Sequence, residues 1–211
     1  MPSHRHPAAQ ALAGVAAAAL LSTAAVAGEL AIGSAAPDFK LLNVDGKEWT
    51  LSQVASVQDG KPAKATVVVF TCNHCPYAKA YEPVLLDMAK AYAGKPVAFV
   101  FINPNDPQVA PDDSYEKMQE RAKEKAYPFP YLFDATQTTA KAYGALVTPH
   151  VYLLDGERIL RYRGRVNDNK DTAAVKSHDL TNAIDALLAG KPVETAETKA
   201  FGCSVKWRKE S

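Results

Sequence analysis

Thr66-Val67-Val68-Val69-Phe70-Thr71-Cys72-Asn73-His74-Cys75-Pro76-Tyr77 is the stretch from which the rest of the chain is read. The first five residues are a short, β-branched apolar run, which reads as a buried strand. Beyond it Tyr81, Val84, Leu85, Met88 and Tyr92 recur at helical spacing, so a helix follows directly. The two cysteines are therefore expected at a strand-to-helix turn, with Cys72 nearer the helix N-terminus and Cys75 deeper in the first turn. Unpaired N–H groups and the helix dipole favour negative charge there, which lowers a thiol pKa from its usual value near 8.5. A two-residue spacer lets Cys75 close a disulfide with Cys72 once Cys72 has reacted. Cys72 is the expected nucleophile and Cys75 its resolving partner.

Other uses of the pair are weaker. A structural zinc site needs a second Cys/His pair of similar spacing, and the only other cysteine is Cys203. No metal and no cofactor is expected. Cys203 itself reads as a buried structural thiol or as a third redox partner.

Residues 1–27 carry His4, Arg5 and His6, an apolar stretch from Ala11 to Leu21, and Ala25-Val26-Ala27 before Gly28. That is the layout of a cleavable secretory signal peptide, with an apolar core too short to span a bilayer. The expected mature domain is 28–211, 184 residues in which 23 basic face 23 acidic side chains. Nothing in that balance points to nucleic acid, and no stable membrane insertion is expected once the signal is removed. Export to a periplasmic or extracellular space puts the cysteines where a dithiol is oxidised unless a dedicated donor reduces it.

Along the domain, Lys40-Leu41-Leu42-Asn43-Val44 and Glu48-Trp49-Thr50-Leu51 flank Asp45-Gly46 and read as a hairpin. Gln58 to Pro62 is a loop. Val97 to Ile102 is a second apolar strand, and Asn103 to Asp113 is a loop rich in Pro, Asn and Asp. Asp113-x-x-Glu116 reads as a capping box for a helix through Lys125, and Asp134 as the cap of a helix ending near Gly144. A short strand over Pro130–Phe133, a second hairpin from His150 to Arg163 and a helix over Leu180–Leu188 complete an α/β sandwich.

This order, with C-x-x-C-P and a distant Thr148-Pro149, resembles the thioredoxin superfamily. Within it, Gly33…Ala36-Pro37-Asp38-Phe39 and the insertion from Asn103 to Asp134 resemble the redoxin branch, related to alkyl hydroperoxide reductase and thiol-specific antioxidant proteins. Gly202-Cys203-Ser204-Val205-Lys206-Trp207 is similar to a group of thioredoxin-like proteins of undefined substrate. The resemblance implies a three-layer α/β/α sandwich with an N-terminal β-hairpin and a redoxin-type helix insertion. It also implies that Cys72 attacks, that Cys75 resolves, and that Pro149 is a cis proline facing the disulfide and presenting backbone to an extended substrate.

The chain departs from that pattern at several positions. Thr71 stands where thioredoxins have Trp, and Thr66 where they have a buried acid, so no carboxylate is expected to assist Cys75. Val69 and Ala65 stand where peroxiredoxins have Thr and Pro. His74, between the cysteines, is expected to donate to the Cys72 thiolate and make the pair more oxidising than thioredoxin. His150 is expected to pack in a strand, and Lys206 and Trp207 to serve packing and solvent contacts.

The reading that follows is an exported thiol–disulfide oxidoreductase. Its partners would be client protein dithiols or disulfides and a redox donor or acceptor protein. A peroxide-reducing antioxidant is the alternative. A Cu(I) carrier using Cys72, Cys75 and a histidine is weaker still, because related copper carriers space their cysteines by three residues.

Overall fold

The computed structural model describes Met1 and residues 28–56 and 61–209; residues 2–27 of the expected signal peptide and most of the loop expected at Gln58–Pro62 lie outside the described residues. Six residues of continuous burial in β3 (Ala65–Phe70) set the middle of the sheet. A strand apolar at every position needs cover on both faces, and alternation divides its side chains between two cores. Ala65, Val67 and Val69 face one cluster with α2 (Pro76–Ala91), α3 (Tyr115–Glu124) and α5 (Asp179–Leu188). Val68 and Phe70 face the other, with α1 (Leu51–Val54) and α4 (Thr138–Tyr143). Helices on both faces of one sheet make the three layers expected.

The remaining strands of this sheet are β1 (Lys40–Asn43), β2 (Glu48–Thr50), β4 (Val97–Asn103), β5 (Tyr131–Phe133), β7 (His150–Asp155) and β8 (Leu160–Gly164). The order is β2-β1-β5-β4-β3-β7-β8. β3, β4 and β5 run parallel; the hairpin β1–β2 pairs antiparallel with β5 on one edge and the hairpin β7–β8 antiparallel with β3 on the other. A second ladder of two-residue strands, β6 (Val147–Thr148) and β9 (Cys203–Ser204), stands apart from the main sheet. Among the described residues no helix is long and apolar enough to cross a membrane.

The insertion is anchored by charge. Glu82, buried on α2, pairs with Arg121 of α3 and accepts from Tyr127 Oη at 2.6 Å. Two capping expectations change here. Ser114, not Asp113, is the N-cap of α3, accepting from Lys117 N–H. A hydroxyl at the turn is as good a cap as a carboxylate, and Asp113 is free to turn inward. At α4 the N-cap position is held by Gln137 at φ 61°, while Asp134 Oδ2 reaches further, to Ala140 N–H at 2.8 Å.

Candidate active site

β3 ends at Phe70 and α2 begins at Pro76, so residues 71–75 form a turn across the sheet's C-terminal edge. Cys75 is the N-cap of α2, and Pro76 sits at N1, where its missing N–H costs nothing. The expected order is therefore corrected: Cys75 stands at the helix end and Cys72 precedes it by three residues. Both thiols are free and buried, Cys72 at 4% exposure and Cys75 at 0%.

The Thr148–Pro149 peptide is cis and lies against both sulfurs. Thr148 Oγ1 is 3.2 Å from Cys72 Sγ, and Cys75 Sγ donates to Thr148 O at 3.3 Å. The two thiols titrate as a unit. Their proximity lowers the first ionisation and raises the second; burial raises both. Thr148 decides which sulfur the charge favours. Its carbonyl can only accept, so Cys75 needs its proton there, whereas its hydroxyl can donate and lowers Cys72. Of the two residues, Cys72 is the one that keeps a trace of exposure.

The polar neighbour of Cys72 is Asp113, which the sequence reading assigns to a helix cap. It is wholly buried. Its Oδ1 accepts the N–H groups of Asn73 (2.6 Å) and His74 (3.2 Å), and its Oδ2 meets His74 Nδ1 (2.5 Å) and accepts from Asn105 Nδ2 (2.7 Å). His74 thus turns its Nδ1 to a carboxylate instead of to Cys72. After the Cys75 bond and burial, the Asp113 charge is the next influence holding Cys72 up. One premise for a strongly oxidising pair changes, since the histidine is tied elsewhere; no acid acts on Cys75, but one stands beside Cys72. The insertion supplies it, while Thr66 in β3 keeps a buried hydroxyl with no hydrogen-bond partner among the described residues.

Asn73 completes this flank. Its Nδ2 donates to Asp112 O at 2.9 Å and its Oδ1 accepts from Tyr131 Oη at 2.9 Å. Cys72, His74 and Asp113 offer ligand atoms within 4.8 Å of one another, a set able to hold a thiophilic cation. This is a different triplet from the Cys72–Cys75–His set considered for Cu(I), and each Asp113 oxygen already faces two donors.

On the other flank lies Cys203. It is half-buried and packs with Cys72, Cys75, Ala78 and Tyr77. In the β6–β9 ladder Thr148 pairs with Cys203 and Val147 with Ser204. The edge beside the cis proline, expected to present its backbone to a substrate, is thus paired with the chain's own C-terminal strand. Gly202 lies so close that a β-carbon there would sit 2.1 Å from Thr148 O. Asn105 joins the two flanks, donating to Asp113 while its Oδ1 accepts from Lys206 N–H at 2.8 Å.

His150 packs as expected: it is buried, bonded to Tyr152 Oη at 3.2 Å through Nδ1, and pushed down to about 4 by burial and then by Arg163. Trp207 packs against the α1/α4 core and Lys206 joins the tail network. Sequence reasoning missed Asp113, Asn73, Asn105 and Gly202. The available signal for Asp113 was Ser114 beside it, a sufficient cap that leaves the acid spare.

Residues 32–163 match the AhpC/TSA family. No curated protein matches the chain. Among solved structures, an uncharacterized conserved protein from Geobacillus kaustophilus is 41% identical, with 86% of this chain and 94% of that one covered and a TM-score of 0.79. A hypothetical protein from Sinorhizobium meliloti is 37% identical over 87% of this chain and 98% of its own, also at TM-score 0.79. A putative protein disulfide isomerase from Bacteroides thetaiotaomicron shares the fold at 22% identity and TM-score 0.57, covering 76% and 91%. With its thioredoxin-like sandwich and a family match that spans most of the sheet, the chain belongs to the AhpC/TSA redoxin family.

Proposed function

We propose that the protein is an exported thiol–disulfide oxidoreductase working through a Cys72–Cys75 disulfide, with Thr148 and Pro149 facing the reacting sulfurs. The observation that supports it most is the convergence of both sulfurs on one residue, Thr148, whose hydroxyl meets Cys72 and whose carbonyl accepts a hydrogen bond from Cys75. In the reducing direction Cys72 thiolate attacks a client disulfide, one client sulfur leaves as thiolate, and a mixed disulfide forms. Cys75 then loses its proton and attacks Cys72, the second client sulfur leaves, and the Cys72–Cys75 disulfide closes. Two electrons pass to the client, and the reverse sequence oxidises a client dithiol. His74, set by Asp113 at the mouth of the site, is placed to exchange protons with the leaving client sulfur. The acid beside Cys72 disfavours its thiolate and so works against a strongly oxidising pair. Residues 1–27 support export.

The test is reduction of insulin disulfides by the reduced protein, with hydrogen peroxide as a parallel substrate. Cys72→Ser should lose turnover by ~10³-fold or more, as removal of a nucleophile does. Cys75→Ser should accumulate a mixed disulfide through Cys72. A Cys75→Ser protein that traps no client would overturn the reading, and rapid turnover of peroxide but not of insulin would favour the antioxidant alternative. Export predicts an N-terminus near Gly28 in secreted or periplasmic material; an intact Met1 there would remove it.

A further inference from the structure

Cys75 touches two thiols, not one. The three cysteines pack in one small cluster with Ala78 and Tyr77, and both Cys72 and Cys203 influence the ionisation of Cys75. The placement of Cys203 is built into the backbone. β9 pairs in register with Thr148, the residue that also contacts both other cysteines. Gly202 allows the close approach, and the tail beyond is fastened at several points. Val205 N–H donates to Leu146 O, Asp106 N–H to Lys206 O, and Arg208 Nε to Asp106 Oδ2 at 2.8 Å. A structural thiol needs none of this, and a buried one has no reason to sit at the site's open side, where Cys203 is half-exposed and Cys75 is not.

Building on the dithiol function above, we infer that Cys203 is a third redox cysteine, which attacks Cys75 in the Cys72–Cys75 disulfide and takes over the bond. One S–S bond breaks and one forms. Cys203 gives its proton to solvent, Cys72 leaves as the thiolate, and no electrons are gained or lost. The outcome is a Cys75–Cys203 disulfide and a free Cys72 in a protein that is still oxidised by two electrons. The exchange moves the disulfide from the Asp113 flank, where both sulfurs are buried, to a pair with one sulfur reachable by an external thiol. Timing is supplied by charge. Cys203 is pushed up to about 11, by burial and then by Cys75. When Cys75 enters a disulfide its share of that influence ends, and the nearby Lys206 still pulls Cys203 down. Oxidation of the pair thus eases ionisation of Cys203, although its burial remains.

The full chain is equilibrated in glutathione buffers from reducing to oxidising, quenched in acid, alkylated and digested, and its disulfides are assigned by mass spectrometry. Wild type should show both Cys72–Cys75 and Cys75–Cys203 linkages, and Cys72→Ser should form Cys75–Cys203 alone. Alkylation of Cys72 in the singly oxidised protein should be lost in Cys203→Ser. Absence of any Cys75–Cys203 linkage in wild type and in folded Cys72→Ser, checked by circular dichroism, overturns the inference. A folded Cys203→Ser that forms no Cys72–Cys75 disulfide overturns the underlying dithiol function instead, so the two failures are told apart.

Discussion

The two flanks of the dithiol are held by opposite means. Beside Cys72, Asp113 is buried with four donors on its carboxylate, and the histidine nearest it, His74, is tied to that charge. Beside Cys75, the contacts are a carbonyl, a short ladder and a glycine, and the histidine that follows Pro149, His150, is buried and pushed down to about 4. One flank is fixed by electrostatics, the other by close backbone packing. The difference teaches that a buried charge does not tolerate loss of its donors, whereas packed backbone tolerates no added volume.

Removing the charge should have the largest effect. Asp113→Asn leaves two backbone N–H groups and Asn105 facing an amide, at a cost of about 4 kcal/mol by analogy with broken buried pairs. Urea unfolding should show that loss, and thiolate absorbance should show Cys72 ionising more readily, since Asp113 is among the influences that hold it up. An unchanged midpoint would mean that the flank is not electrostatically held.

On the other side, His150 sharpens the comparison through pH. Its folded pKa lies near 4, below the ~6.5 of an unfolded imidazole. The unfolded chain therefore takes the proton first as pH falls. The stabilisation is complete above pH ~6.5 and drains away toward pH 4, for a total of about 3 kcal/mol. His150→Gln should flatten that slope when urea midpoints are compared between pH 7 and pH 4. A variant with the wild-type slope would assign the pH dependence to other groups.

Gly202→Ala is the smallest change and tests packing alone. Its β-carbon would overlap Thr148 O, and relief by backbone shift should cost about 1–3 kcal/mol. Hydrogen exchange at Val205, whose N–H closes onto Leu146 O, should quicken in the same variant. Full protection there would show that the tail sits more loosely than its contacts suggest.

Much of this was written in local pattern. The apolar run at 66–70, helical spacing after Pro76 and Asp45-Gly46 each carry their own conformational reason, so strand, helix and hairpin were legible residue by residue, while the cis peptide at Pro149 was implied only by the family resemblance. Cys72 and Cys75 were legible too, because a two-residue spacer guarantees their proximity whatever the rest does. Asp113, Asn105 and Gly202 were not. Asp113 matches a cap as well as a buried acid, and the tertiary contacts decide between them, with α3 held to α2 through Glu82 and Arg121 and Asp113 bonded to the turn after Cys72. Gly202 looks like any loop glycine until β9 is laid against Thr148. The sequence alone placed the cysteine pair at a strand-to-helix turn of an α/β sandwich, since those elements depend on neighbours a few residues apart. The charge beside Cys72 and the third thiol beside Cys75 were decided by tertiary structure, because each comes from a segment at least 38 residues along the chain, and no local pattern records where a distant segment comes to rest.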